Sequence, residues 1–273
     1  MTEPWICTGC AVEYPGDAAP PIVCPICADE RQYIPAGGQR WVTASELHAA
    51  GHHIEVTELG PGIWGLTARG VGIGQTGILI ESASGNLLFD VPGFVDEAAV
   101  DAVRALGGIA AITSSHPHMF GAQSAWSAAF DGAPVWVSAA DAGWLGIRPP
   151  ALRLWSEPFE VLPGITLDVI GGHFPGSAVA YRPAGDGRPS VLLGGDGVMV
   201  VPDGHVAFLR GYPTMIPLSG AVVRRIADRL SRYEIDVAYN NFGRSTGPDA
   251  SAIIEASARR HIDWVGGRFD HLT

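Results

Sequence analysis

Two C-x-x-C pairs, "CTGC" (Cys7, Cys10) and "CPIC" (Cys24, Cys27), hold all four cysteines of the chain, with thirteen residues between the pairs. Each pair offers two thiolates from one tight turn, and two such turns suit a single tetrahedral ion better than a disulfide framework. Far along the chain, "SSHPHMFG" carries His116 and His118, "GGHFPGS" carries His173, "GGDG" carries Asp196, and "YNNFG" carries Asn240 and Asn241. His116 and His118, one residue apart at the end of an apolar run, have a spacing at which two imidazoles could grip an ion.

Residues so far apart meet only if a framework gathers them. Each of the later motifs follows a short apolar run and sits in a loop with glycine or proline, and loops after strand ends converge at one edge of an α/β sheet. Residues 54–91 alternate apolar and polar positions and predict two or three hairpin-like strands. "DEAAVDAVRAL" (96–106) has helical spacing, and 108–118 reads as a buried strand running into the histidine loop. Further strands are expected at 133–138, 165–170, 177–182, 190–196 and 235–240. Helices are expected over 219–234, with Ser219 as N-cap, and over 248–265, with Pro248 in its first turn. Residues 1–35 form a separate metal ribbon, 36–53 a linker and short helix, and 54–273 the main domain; ribbon and main domain are expected to bind their ions independently.

With 273 residues, 47% of them hydrophobic, 36 glycines and 21 prolines, the chain suits a globular core with many tight turns. Its net charge of −11 argues against a nucleic-acid partner. No basic leader with an apolar core opens the chain and no run approaches a membrane span, so a cytoplasmic protein off the membrane is expected. A homo-oligomer is left open.

Residues 5–34, "WICTGCAVEYPGDAAPPIVCPICADERQYI", resemble the small rubredoxin-like domain of rubrerythrins, in which the ion is iron; related ribbons hold zinc. Ala11 and Ala28 stand where such knuckles usually have glycine. Zinc is the expected ion at both sites, with iron the alternative at either.

In order and spacing, the strand-end motifs of residues 54–273 resemble the metallo-β-lactamase superfamily, with its H-x-H-x-D-H, G-H-x-P-G-S-like, G-D and final H-G turns; "GILIESASGNLLFDVPG" resembles its opening strand pair. The resemblance implies an αββα sandwich. It assigns His116, His118 and His173 to a three-histidine site and Asp196 to the carboxylate between two metal positions; three neutral imidazoles and one water would make a tetrahedral zinc that lowers the water's pKa toward about 7, with Asp196 either a ligand or the group that handles that water's proton. Three ligands of the second position are replaced, by Phe120, Gly121 and Phe242, and sliding by one residue would put Asn241 at the last. One ion is therefore expected, with Phe120 and Phe242 lining the vacated side.

The leading expectation is a hydrolase of a small ester, thioester, lactone or amide. The second is a mononuclear iron oxygenase built on His116, His173 and Asp196, resembling persulfide dioxygenases. The third is a non-catalytic metal-binding protein. His205, Arg210 and Tyr212, shortly after Asp196, are candidates to reach a substrate.

Overall fold

Single-residue alternation within the strands builds the layers of this computed structural model, which describes residues 2–273. Ile78, Ile80, Leu87, Phe89, Val191 and Leu193 point into an apolar layer between two sheets. Leu79 and Leu88 face the opposite side of the first sheet, and Leu192 the opposite side of the second, each against its own flanking layer. A period of two sends neighbours to opposite faces, so strands buried on both sides become nearly continuous apolar runs.

The first sheet has seven strands, in the order Leu152–Trp155, Val135–Ser138, Ile109–Thr113, Asn86–Phe89, Thr76–Ile80, Ile63–Ala68, Ile54–Gly60. The second has five: Phe159–Leu162, Ile165–Val169, Ala178–Arg182, Val191–Leu193, Val237–Tyr239. Helices Glu97–Ala105 and Gln123–Ala129 contribute Val103 and Trp126 to the outer layer of the first sheet. Helices Gly220–Leu230 and Ala250–Val265 bring Ile226 and Ile254 against the second. The expected αββα sandwich is present.

Some details differ from the sequence reading. Residues 54–89 make four strands in succession, each antiparallel to the next. The last long helix is capped by Asp249, whose side chain accepts from Ala252 N, so Pro248 lies ahead of the cap rather than in the first turn. Strand Leu152–Trp155 lacks a clear sequence signal because two of its four residues are exposed.

Strand direction gathers the chemistry. Asn86–Phe89, Ile109–Thr113 and Val135–Ser138 run parallel. In the second sheet Ile165–Val169 and Val191–Leu193 are both antiparallel to Ala178–Arg182, and Val237–Tyr239 is parallel to Val191–Leu193. Asp90, His116, His173, Asp196 and Asn241 all follow C-terminal ends of such strands. The hydrogen bond from Ala178 N to Ser115 O (2.8 Å) joins the two edges.

The N-terminal ribbon pairs Trp5–Cys7 with Glu13–Tyr14 and with Trp41–Val42, taking in part of the stretch read as linker. Its cysteines, Ile6 and Ile26 belong to the same apolar cluster as Val91, Phe94 and Phe120 of the main domain. No helix among the described residues is long and apolar enough to cross a membrane.

Candidate metal centre

His116 follows the strand Ile109–Thr113, and His118 lies in the 3-10 turn Pro117–Met119. His173 sits in the turn after Ile165–Val169, and Asp196 in the turn after Val191–Leu193. Gly195, at φ +52°, lets Asp196 in: a side chain there would run into Ser115. The four residues each present one ligand atom within 4.8 Å of the others. Asp196 Oδ2 is 3.6 Å from His116 Nε2 and 3.5 Å from His173 Nε2, and His173 Nε2 is 3.4 Å from His118 Nδ1. Ligand atoms around tetrahedral zinc stand about 3.4 Å apart, so these three spacings suit one shared ion. His116 Nε2 is buried with no hydrogen-bond partner, as a nitrogen reserved for an ion would be.

Neighbouring groups set the tautomers. Ser115 Oγ donates to Asp90 Oδ2 (3.1 Å) and so accepts from His116 Nδ1 (2.9 Å), while Ser115 N donates to Asp90 Oδ1 (2.6 Å). His173 Nδ1 donates to Leu209 O (3.2 Å). Both rings thereby turn an Nε2 lone pair toward the gap. Burial holds His116 and His118 well below the usual histidine range, helped by the neighbouring His173, and pushes His173 down to about 4. The imidazoles are neutral at pH 7, as ligation requires.

Asp196 is held from two directions. Asn241 Nδ2 donates to its Oδ1 (2.8 Å), and Tyr212 Oη donates to its backbone carbonyl (3.0 Å). Burial raises its carboxyl to about 7 against the Asn241 bond. Burial likewise raises Asp90 to about 8, against its bonds from Ser115. An ion between the imidazoles would favour the charged form of both.

The three replaced positions divide differently from the sequence reading. Phe120 is buried in the apolar cluster shared with the ribbon. Gly121, at φ +50°, leaves no room for a side chain: a Cβ there would overlap the backbone of Val91 and Pro92. Phe242 is 38% exposed and does not line the site, so that expectation is corrected: the backbone turn delivers Asn241 instead. Of the candidates after Asp196, Tyr212 buttresses the site, Arg210 pairs with Glu30 of the ribbon (2.6 Å), and His205 faces Asp203. The sequence gives Asp90 and Ser115 no role, although both adjoin recognisable motifs. Arg31 lies inside the ribbon with no motif to mark it, yet it donates to His173 O.

The cysteines also converge. Cys7 Sγ lies 3.6 Å from Cys27 Sγ, and Cys10 Sγ 3.7 Å from Cys24 Sγ. Thiolates around one zinc or iron stand about 3.8 Å apart, whereas a disulfide needs about 2 Å. Gln39 Nε2 donates to Cys7 Sγ (3.2 Å), and Tyr14 Oη lies 3.4 Å from Cys24 Sγ. Hydrogen bonding, mainly with Cys10, lowers the thiols of Cys7 and Cys24, the latter to about 7.

The chain is 33% identical over 271 residues to the uncharacterized protein YmaE of Bacillus subtilis (strain 168), covering 98% of each. No protein-family model matches it. Among solved structures, DIM-1 metallo-beta-lactamase superposes with a TM-score of 0.59 at 19% identity, over 77% of this chain and 97% of that one. A metallo-beta-lactamase from Pontibacter korlensis gives 0.57 at 18%, over 77% and 99%. These likenesses establish the metallo-β-lactamase fold.

Proposed function

The chain belongs to the same family as YmaE, and from its metallo-β-lactamase fold and converging side chains we propose that it is a hydrolase working with a single ion, zinc, at His116, His118 and His173, with Asp196 beside the open position. The observation that carries the reading is the convergence of three neutral imidazoles and one carboxylate from separate loops. A bound ion there supplies Lewis acidity toward a carbonyl and makes water nucleophilic at neutral pH. His116 and His173 would hold it through Nε2, in tautomers set by Ser115 and the Leu209 carbonyl. Asp196, tied at Oδ1 by Asn241, presents Oδ2 to the site and takes the water's proton.

The single-ion reading is supported by what stands at the other positions: a core phenyl ring, a glycine pinned against backbone, and an amide. Asp196 alone does not hold a second ion. The three imidazoles are 1–2% exposed and Asp196 5%, which favours a small ester, thioester, lactone or amide.

Metal analysis of protein purified without added metal tests the reading, together with turnover of short-chain thioesters and lactones before and after Asp196→Asn. One zinc per histidine site, with turnover lost in the variant, is expected. Full turnover by Asp196→Asn removes Asp196 from the mechanism. Iron at the site with oxygen uptake favours the second reading, an oxygenase, whose two-histidine, one-carboxylate set is matched by Asp196 closing on both His116 and His173.

A further inference from the structure

The ribbon is fastened to the two loops that carry His118 and His173. We propose that the four-cysteine ribbon is a positioning element for the histidine site, so that loading the thiolate cluster raises the affinity of the histidine cluster for its ion.

Each cysteine turn has its own attachment. Four residues after Cys27, Arg31 donates from Nε to the carbonyl of His173 itself (2.7 Å), and its guanidinium lies 4.1 Å from the centre of the Phe174 ring. Asp29 Oδ1 accepts from Arg31 N (3.0 Å) and from Nη1 (2.6 Å), which makes the Cys27 turn and the Arg31 side chain one rigid piece. The residue is 6% exposed. Arg210–Glu30 adds a second tie between the same turn and the strand beyond Leu209, whose carbonyl orients His173.

The first turn is seated on the other loop. Glu13 N donates to Gly121 O (3.2 Å), and buried Glu13 Oε1 accepts from Ser124 N, bracketing the segment that follows His118. Ala11, at φ +62°, takes the left-handed conformation that residues other than glycine rarely adopt. Its methyl group fills a socket that exists because residues 72 and 93 are glycines: a Cβ on Gly72 would fall 2.6 Å from it, and one on Gly93 would also overlap it.

The thiolate ion holds both turns in register. Without it, four buried thiols lose the centre that orders them, and Arg31 and Glu13 lose fixed anchors. Two imidazoles then sample positions away from ligand geometry, and affinity at the histidine site falls by linkage; reciprocally, filling the histidine site tightens the ribbon.

Charge and position make opposite predictions for Arg31. Removing a cation near the imidazoles would by electrostatics alone tighten cation binding, whereas loss of the His173 anchor weakens it. Cobalt(II) separates the clusters, because only the thiolate site gives intense sulfur-to-metal charge-transfer absorption, while the histidine site is followed by its weaker ligand-field bands. In Arg31→Met, cobalt at the histidine site is expected to bind at least tenfold more weakly with the thiolate bands unchanged, and Arg31→Lys to recover part of the loss. Cys24→Ser is expected to weaken both sites. Histidine-site affinity within twofold of the wild type in Arg31→Met, or tighter, overturns the proposal, and that variant decides even if Cys24→Ser does not fold. The inference rests on both clusters taking a metal and not on hydrolysis. Failure of the wild-type histidine site to bind cobalt would sink the proposed function as well, whereas unchanged variants sink only the coupling.

Discussion

Gly121 tests whether a second metal position can be restored. Its φ of +50° disfavours any L side chain, and a Cβ would lie 2.8 Å from Pro92 O and closer still to Val91 O, both backbone atoms. The left-handed conformation costs alanine roughly 1 kcal/mol, and relieving the overlap in a packed interior adds about 1–3 kcal/mol. Gly121→Ala should therefore lose about 3 kcal/mol, or roughly 9 °C in Tm for a domain of this size, read by denaturant and thermal unfolding of the metal-loaded protein. The displaced segment also carries the Gly121 carbonyl that accepts from Glu13 N. Phe120→Asp, Gly121→His and Phe242→His combined, which restore the superfamily pattern on paper, should not take up another ion: residue 121 has no room and residue 242 faces outward. An alanine variant within about 0.5 kcal/mol of the wild type, or a folded triple variant with one additional zinc per chain, would refute this reasoning.

Two further predictions concern the groups around the ligands. Burial raises Asp90 to about 8, far above its unfolded value, so in the metal-free protein its contribution is present at low pH and lost as pH rises from about 4 to 8. Relative to Asp90→Asn, the metal-free wild type should lose about 1.4 kcal/mol per pH unit between pH 5 and 7; a pH-independent difference between the two unfolding curves would discard the buried-acid account. Asn241→Ala should weaken zinc binding measurably by freeing Asp196 Oδ1, while Phe242→Ala should change stability and zinc affinity little. The reverse ranking in a zinc-competition titration would return Phe242 to the site.

The two clusters that could hold ions are legible in the sequence because their signals are local. A C-x-x-C turn, two histidines flanking one residue after an apolar strand, and Asp196 among glycines each arise within a few residues, and the strand pattern implies that such loops share an edge. The same locality explains the helix marked by its Ser219 cap, which accepts from Val222 N as expected. What lies beyond reach depends on distance or on a single step of register. Whether Asn241 or Phe242 enters the site turns on the path of one backbone bend, to which side-chain pattern is blind when both neighbours are loop residues. Asp90 and Ser115 meet only because parallel strands Asn86–Phe89 and Ile109–Thr113 end together. The docking of the ribbon is hidden most completely. Arg31 reaches a carbonyl 142 residues away, and Ala11 fits where Gly72 and Gly93 leave space. Short motifs specify which atoms are offered to an ion; only packing between distant segments decides which backbones hold those atoms still.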